Sequence, residues 1–236
     1  MDYSHLALFS LNRQDACSTR KSTLCGTGIL PVQKRIIDNG ARSQITNSKL
    51  QDYIDDDGLR GVLSNFQSLQ PAIEATKYAL DFSTLAHQNI KCSAGHKYYY
   101  LIRRDLQLAA DLLKQTHSQT RGGDGYAQID LPPHSLLQAQ SAIAEAQILW
   151  DSVGWCNLML RIPAAQIMLP VIAQLICDRI NVNATFVFSQ TTYEQVGDAY
   201  LRGLESLIQQ EESVSEIACF TSFSIARLDE VIHPLL

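Results

Sequence analysis

The chain has 236 residues, 46% of them hydrophobic and 18% charged, with a formal net charge of -5. This length is enough for one domain with a sizeable core, and the composition is that of an ordinary globular protein. The acidic balance without a Lys/Arg-rich run argues against nucleic-acid binding, and no apolar stretch reaches the roughly 18 residues that a membrane span needs.

Residues 1–33 show no periodicity and contain turn-forming glycines and a proline, which predicts a poorly structured N-terminal extension. From residue 34 onward, short apolar runs alternate with helical patterns. The runs predict six strands, at 35–38, 59–63, 126–131, 158–162, 182–188 and 216–223. The helical patterns lie at 45–54, 70–90, 105–117, 135–153, 166–178, 190–210 and 226–236. The segment 91–100 is ambiguous.

Strands that alternate with helices indicate βαβ units and a parallel sheet. Six strands fit an open doubly wound sheet as well as part of a closed barrel, which takes eight strands. An open sheet would usually carry a glycine-rich phosphate turn after its first strand, but here that strand leads into Asp38-Asn39-Gly40. The glycine-rich run 122–125 precedes a strand rather than a helix, so it does not predict a phosphate-binding loop either.

The six cysteines are scattered without any Cys-x-x-Cys pair, and the six histidines show no metal-ligand spacing. We therefore expect reduced thiols, no metal site and no cofactor. Residues 1–10 carry neither a basic leader nor a clear small-residue cleavage site. This start predicts a cytoplasmic protein rather than a secreted one.

Three segments in the second half of the chain carry a family resemblance. They are Asn157–Ala165 (NLMLRIPAA), Ile180–Ser189 (INVNATFVFS) and Ser222–Asp229 (SFSIARLD). In this order and spacing they resemble strands four, five and six of transaldolases. Upstream, Ile37–Asn39 and Gly58–Asn65 resemble the segments around strands one and two, and Gln128–Asp130 lies where the family has a strand-three glutamate.

The resemblance implies an α/β fold, a (β/α) TIM-type barrel that is incomplete, with about six of the eight βα units. It divides the chain into the extension at 1–33 and a transaldolase-like partial barrel at 34–236. Since the sequence stops after the sixth strand, we expect a truncated barrel with an open edge. The extension, a second copy or a partner protein would have to cover that edge.

Transaldolases move a three-carbon ketol unit between sugar phosphates through a lysine Schiff base. The resemblance therefore implies a transferase of carbohydrate metabolism, in the pentose phosphate pathway. Arg161, however, occupies the position of that lysine, and a guanidinium stays protonated and cannot form the imine. No lysine follows Lys114, and Lys34, beside the first strand, is only a weak candidate for a substitute.

The remaining site residues are also implied by the resemblance. Asp38 and Asp130 match the carboxylates that relay protons, although Asp130 is one methylene shorter than the family's glutamate. A salt bridge with Arg161 is an equally simple reason for two acidic residues there. Polar residues that orient the substrate and the catalytic water are matched by Asn65, Asn183, Thr185 and Ser222.

The sequence contains part of the family's set of phosphate-binding residues. Arg227 stands at the position of an arginine that grips the substrate phosphate, and a guanidinium fork suits phosphate oxygens. A second phosphate-binding arginine of the family has no counterpart in the sequence. Ala165 replaces a small hydroxyl residue of the family and so removes one hydrogen bond.

These residues leave three hypotheses open. The first, which the sequence favours, is a degenerate transaldolase-like protein without Schiff-base activity, which either retains weak sugar-phosphate binding or is a gene relic. The second is an enzyme of altered chemistry, in which Arg161 stabilises an enolate or phosphate. The third is a non-catalytic interaction module that uses the open barrel edge to form a homo-oligomer or to bind a partner.

Overall fold

The structure, a computed structural model, describes residues 6–11, 35–38, 49–56, 58–64, 73, 78–87 and 94–224. The strands in these ranges are β1 (Leu6–Leu11), β2 (Arg35–Asp38), β3 (Leu59–Ser64), β4 (Tyr126–Asp130), β5 (Leu158–Pro163), β6 (Val182–Thr185) and β7 (Cys219–Ser224). The helices are α1 (Lys49–Asp55), α2 (Ala79–His87), α3 (Ala94–Gln119), α4 (Ala139–Val153), α5 (Leu169–Cys177) and α6 (Gln190–Gln209).

The elements group into two compact units. The first unit consists of Ile36–Asp130 and Ala146–Met159, and the second of Met1–Arg35, Leu131–Glu145 and Leu160–Leu236. Three of the four boundaries between the units fall inside β2, α4 and β5, and the fourth directly follows β4.

In the first unit, β3 lies between β2 and β4, and β3 and β4 are parallel, with Leu63 opposite Gln128. The start of β5 runs beside β4, since Ala127 N donates to the Asn157 carbonyl at 3.0 Å. Helix α3 packs on both β3 and β4. Its buried face includes Leu106 and Leu113, which are at most 1% exposed.

In the second unit, the order is β5, β6, β7 and β1. Strands β5, β6 and β7 are parallel, whereas β1 pairs antiparallel with β7 over six residue pairs from Leu6–Ser224 to Leu11–Cys219. Helices α5 and α6 pack against each other, α5 also packs on β6, and α6 on β7.

Helices between successive parallel strands are the βα units of a (β/α) barrel, and the predicted fold class of an incomplete barrel is confirmed. All six predicted strands are present, as β2 to β7. The seventh, β1, lies in the segment that the sequence pattern assigned to a poorly structured extension. Its partner β7 comes some 200 residues later, so no local periodicity could indicate it. The rest of residues 1–33 lies outside the described residues.

Several element ends differ from the predictions, and each has a local cause. Strand β6 stops at Thr185, because Phe186 has φ 61° and leaves the extended conformation. Strand β7 begins at Cys219 rather than at 216, where Glu216 has φ 66°. The helix predicted from 135 begins as a 3-10 turn, Ser135–Leu137, and becomes α-helical only after the extended Gln138.

The ambiguous segment before residue 100 is helical from Ala94, as the first two turns of α3. The helix predicted at 166–178 opens with a 3-10 turn, Gln166–Met168, before α5. The helix predicted at 226–236 lies outside the described residues.

Candidate functional site

One face of the second unit collects four of the predicted site residues. Arg161 on β5 is the register partner of Asn183 on β6, and partners in a parallel pair project to the same side of the sheet. Thr185 lies two residues after Asn183 and so shares its face. The hydroxyl of Ser222 on β7 reaches Asn183 directly. The four side chains therefore lie in one row on the same face of the sheet. We call this set the polar row: Arg161, Asn183, Thr185 and Ser222.

The centre of the polar row is a buried hydrogen bond. Ser222 Oγ donates to Asn183 Oδ1 at 2.9 Å, and each residue is 1% exposed. A buried amide oxygen without such a donor would cost about 1–3 kcal/mol. The bond turns the amide oxygen toward β7, so the amide nitrogen, which can donate two hydrogen bonds, points away from Ser222.

Thr185 is the last residue of β6 and is 4% exposed. Its carbonyl accepts a hydrogen bond from Ala164 N at 2.8 Å, which ties the end of β6 to the segment after β5. Beyond Phe186, the chain bends back and Val187 N donates to the Ser222 carbonyl at 3.2 Å. The carboxyl end of β6 is thus held on both sides, as a site at the strand ends of a barrel requires.

Arg161 is half-buried, and its carbonyl accepts a hydrogen bond from Leu131 N at 3.2 Å. A guanidinium has five N–H donors in a planar fork, which suits the oxygens of a phosphate or carboxylate. Ala165 follows β5 and is exposed, so its methyl group brings no hydrogen bond to this edge.

The first unit holds the two predicted carboxylates. Asp38 is the last residue of β2, and Asp130 is the exposed last residue of β4. Gln128 lies two residues before Asp130 on the same face and is 2% exposed. This buried glutamine was not among the predicted site residues, although polar residues alternate along the strand at 128 and 130.

Two of the predicted substrate-binding residues, Asn65 and Arg227, lie outside the described residues, as does Lys34. Their roles stay predictions. Arg161, Asn183, Thr185 and Ser222 are brought together by the fold, but the part each plays in the chemistry also stays a prediction.

An apolar groove lies on the opposite face of β7. Thr221 and Phe223, which alternate with Ser222, line it together with the segment Val187–Gln190 and Tyr193, and it encloses about 580 Å3. Phe188 packs edge-on against Phe223 with ring centroids 6.3 Å apart. Because the groove and the polar row lie on different faces, the groove is not part of the site.

The thiol of Cys219 lies on the helix-facing side of β7. Burial raises its pKa to about 12, and the pKa of Tyr200 on α6 is raised to about 12 by burial and by the neighbouring thiol. Both groups are therefore neutral at pH 7, and a neutral buried thiol is a poor nucleophile.

In the described part of the chain, no three His, Cys, Asp or Glu residues are placed to hold a metal ion. No helix of that part has the length and hydropathy needed to cross a membrane.

Sequence comparisons identify the family to which the chain belongs. The family described as Transaldolase/Fructose-6-phosphate aldolase matches residues 36–234. The chain belongs to the transaldolase family. The predicted resemblance is confirmed.

Three relatives illustrate the extent of the similarity. The chain is 32% identical to "Transaldolase" of Trichodesmium erythraeum over 200 residues, which are 85% of this chain and 52% of that protein. It is 32% identical to "Transaldolase 2" of a Nostoc species over 193 residues, covering 82% and 50%. It is 32% identical to "Transaldolase" of Acidothermus cellulolyticus over 201 residues, covering 85% and 54%. The chain thus spans about half the length of these curated relatives.

Proposed function

We propose that the protein binds a sugar phosphate in the cytoplasm as part of the pentose phosphate pathway, and that it does not transfer aldol units through a Schiff base. One observation carries this proposal. Arg161 stands beside the buried Asn183–Ser222 pair, at the position where the family resemblance requires a lysine.

The proposal follows from the difference between an amine and a guanidinium. Imine formation needs a deprotonated amine, and an arginine side chain is not deprotonated in proteins. Lys114 offers no replacement, since it is exposed on α3 and its ammonium group lies 6.0 Å from the ring centroid of Trp155. No lysine follows it in the sequence.

Binding is supported by what the polar row retains. The fixed amide of Asn183 and the hydroxyls of Thr185 and Ser222 are groups that hydrogen-bond sugar hydroxyls. The guanidinium of Arg161 adds a fork that pairs with the oxygens of an anionic group. We infer that a sugar phosphate is held by these groups without being converted to an imine.

A second candidate function uses the same geometry. A cation next to a preorganised amide can stabilise a developing enolate or oxyanion, which is the largest catalytic effect in many enzymes. Arg161, in register with Asn183, would supply that charge. This candidate requires an activity that disappears when Arg161 is replaced by methionine.

Borohydride trapping tests the principal proposal. The native protein and Arg161→Lys are treated with borohydride in the presence of fructose 6-phosphate, and adducts are measured by intact mass and located by peptide mapping. We expect no adduct on the native protein and an adduct at position 161 of the variant. Arg202→Lys, an exposed substitution on α6, is the matched control and should remain unmodified.

The outcomes of this experiment distinguish loss of the Schiff-base lysine from loss of the whole binding site. An adduct on the native protein would show that another amine forms the imine and would refute the proposal. If Arg161→Lys also stays unmodified, calorimetric titration with fructose 6-phosphate decides whether the site binds at all. Absence of saturable binding to the native protein would refute sugar-phosphate binding.

A further inference from the structure

The outer edge of β7 is covered by a strand from the opposite end of the sequence. β7 has β6 on one side and β1 on the other, and six antiparallel pairs cover its whole length. In the described part of the sheet, β1 pairs with β7 alone. In that part, the ladder with β7 is therefore the one backbone pairing of β1.

In the sequence, 23 residues (12–34) separate β1 from β2, and β2 continues into the first unit. A chain can span up to about 3.3–3.6 Å per residue, so this connection reaches well beyond the length of one strand. The covalent structure therefore permits pairing with a β7 edge in the same molecule or in another.

Neither strand carries a feature that discourages pairing between molecules. β1 reads LALFSL and β7 reads CFTSFS, without a charged residue or a proline in either. Natural sheet edges are commonly protected by lysine, proline or bulges, because an uncharged edge is a template for a strand from another chain. The edge of β7 is therefore protected from pairing with other chains only while a strand such as β1 is paired with it.

We propose that β7 is a strand-acceptor edge, and that β1 of a second copy of this chain occupies it by reciprocal exchange, giving a dimer. A second copy is the occupant because its β1 reproduces all six pairs in the same register, from Leu6–Ser224 to Leu11–Cys219. Exchange of an identical element is a low-cost route to a dimer, because each interface formed is one that the monomer already has.

Exchange of β1 would also change which copy supplies the strand next to the polar row. Leu8 is the register partner of Ser222, whose hydroxyl holds the Asn183 amide. In the exchanged dimer, the backbone segment that pairs with Ser222 on each β7 therefore belongs to the other copy. The inference concerns assembly and does not depend on whether the site binds a sugar phosphate.

A disulfide that can form only between copies tests the exchange. Leu11 and Cys219 are register partners, and Cα atoms of opposed antiparallel residues are about 4.5–5.5 Å apart, within disulfide range. One copy carries Leu11→Cys together with Cys219→Ser, and a differently tagged copy is native at both positions. After mixing and oxidation, we expect a 11–219 disulfide between the two tags, in a proportion that rises with concentration.

Two controls make the result decisive. The single variant Leu11→Cys retains Cys219 and reports whether this thiol pair can form within or between molecules. Ser10→Cys, whose register partner is Phe220, should not link to Cys219.

An 11–219 disulfide in the single variant, with none between the tagged copies at any concentration, would overturn the exchange. If the single variant forms no such disulfide and sedimentation of the native chain shows monomer only, the exchange is likewise refuted.

Discussion

At the scale of single residues, the hydrogen bond from Ser222 to Asn183 sets the orientation of a buried amide in the polar row. Both groups are almost completely buried, and the bond leaves the amide only one orientation relative to β7. A donor held in place before the ligand arrives loses no conformational freedom on binding, which favours affinity and selectivity.

Ser222→Ala should lower both stability and ligand affinity. The buried oxygen of Asn183 would lose its Ser222 donor, which we expect to cost about 1–3 kcal/mol of the free energy of unfolding. Loss of amide orientation should weaken fructose 6-phosphate binding by roughly two- to tenfold, as for one neutral hydrogen bond.

Denaturant unfolding and calorimetric titration measure the two effects. Ser206→Ala is the matched control, because the hydroxyl it removes is bonded to the Arg202 carbonyl on α6, outside the polar row. If Ser222→Ala behaves like Ser206→Ala in both measurements, the hydrogen bond has no role in the site.

The site residues that could be predicted are those whose strand position follows from a motif or from alternation. Asn183 and Thr185, two residues apart, had to share a face, and Arg161 follows from the lysine position of the resemblance. The pairing of Ser222 with Asn183 could not be predicted, because it depends on the relative stagger of β6 and β7.

At the scale of elements, the contact between α5 and α6 depends on a glycine. A Cβ atom at Gly203 would lie 2.6 Å from the Ala173 carbonyl and 2.7 Å from the Ile176 side chain, which is too close for either. The α5–α6 pair covers β6 and β7, so the spacing of these helices supports the strands that carry the polar row.

Gly203→Ala should therefore destabilise the protein by about 1–3 kcal/mol, as overpacking of a tight contact does. Gly197→Ala is the matched control on the same helix, since nothing lies within 4 Å of its Cβ position. There the gain in helix propensity should add about 0.5–1 kcal/mol. Thermal unfolding of both variants checks the opposite signs, and equal shifts would show that the helices do not approach as described.

The order of strands and helices could be predicted because each carries its own periodicity, whereas β1 and several element ends could not. β1 forms through a partner distant in sequence. The ends of β6 and the start of β7 depend on Phe186 and Glu216 in left-handed conformations. Only glycine, asparagine and aspartate adopt these often enough for a sequence to indicate them.

At the scale of the whole molecule, three elements continue across a boundary between the two units: β2, α4 and β5. A helix or strand that belongs to two units cannot lose its structure in one without disturbing the other. We therefore expect a single cooperative unfolding transition rather than two.

The chain offers one probe in each unit. Both tryptophans, Trp150 and Trp155, lie in the first unit, and the buried Cys219 lies in the second. Tryptophan fluorescence and alkylation of Cys219, located by peptide mapping, should give the same denaturant midpoint. Midpoints that differ by more than the fitting error would show that the units unfold separately.

The pairing of β1 with β7 has a consequence for synthesis on the ribosome. Leu11 is translated long before Cys219, and residues 12–218 must be made in between. At about 5–20 residues per second, this takes roughly 10 to 40 s. Throughout that interval, the nascent β1 has no β7 of its own. If strands are exchanged as proposed above, this is the time in which a nascent β1 can pair with the β7 of a copy that was completed earlier on the same messenger.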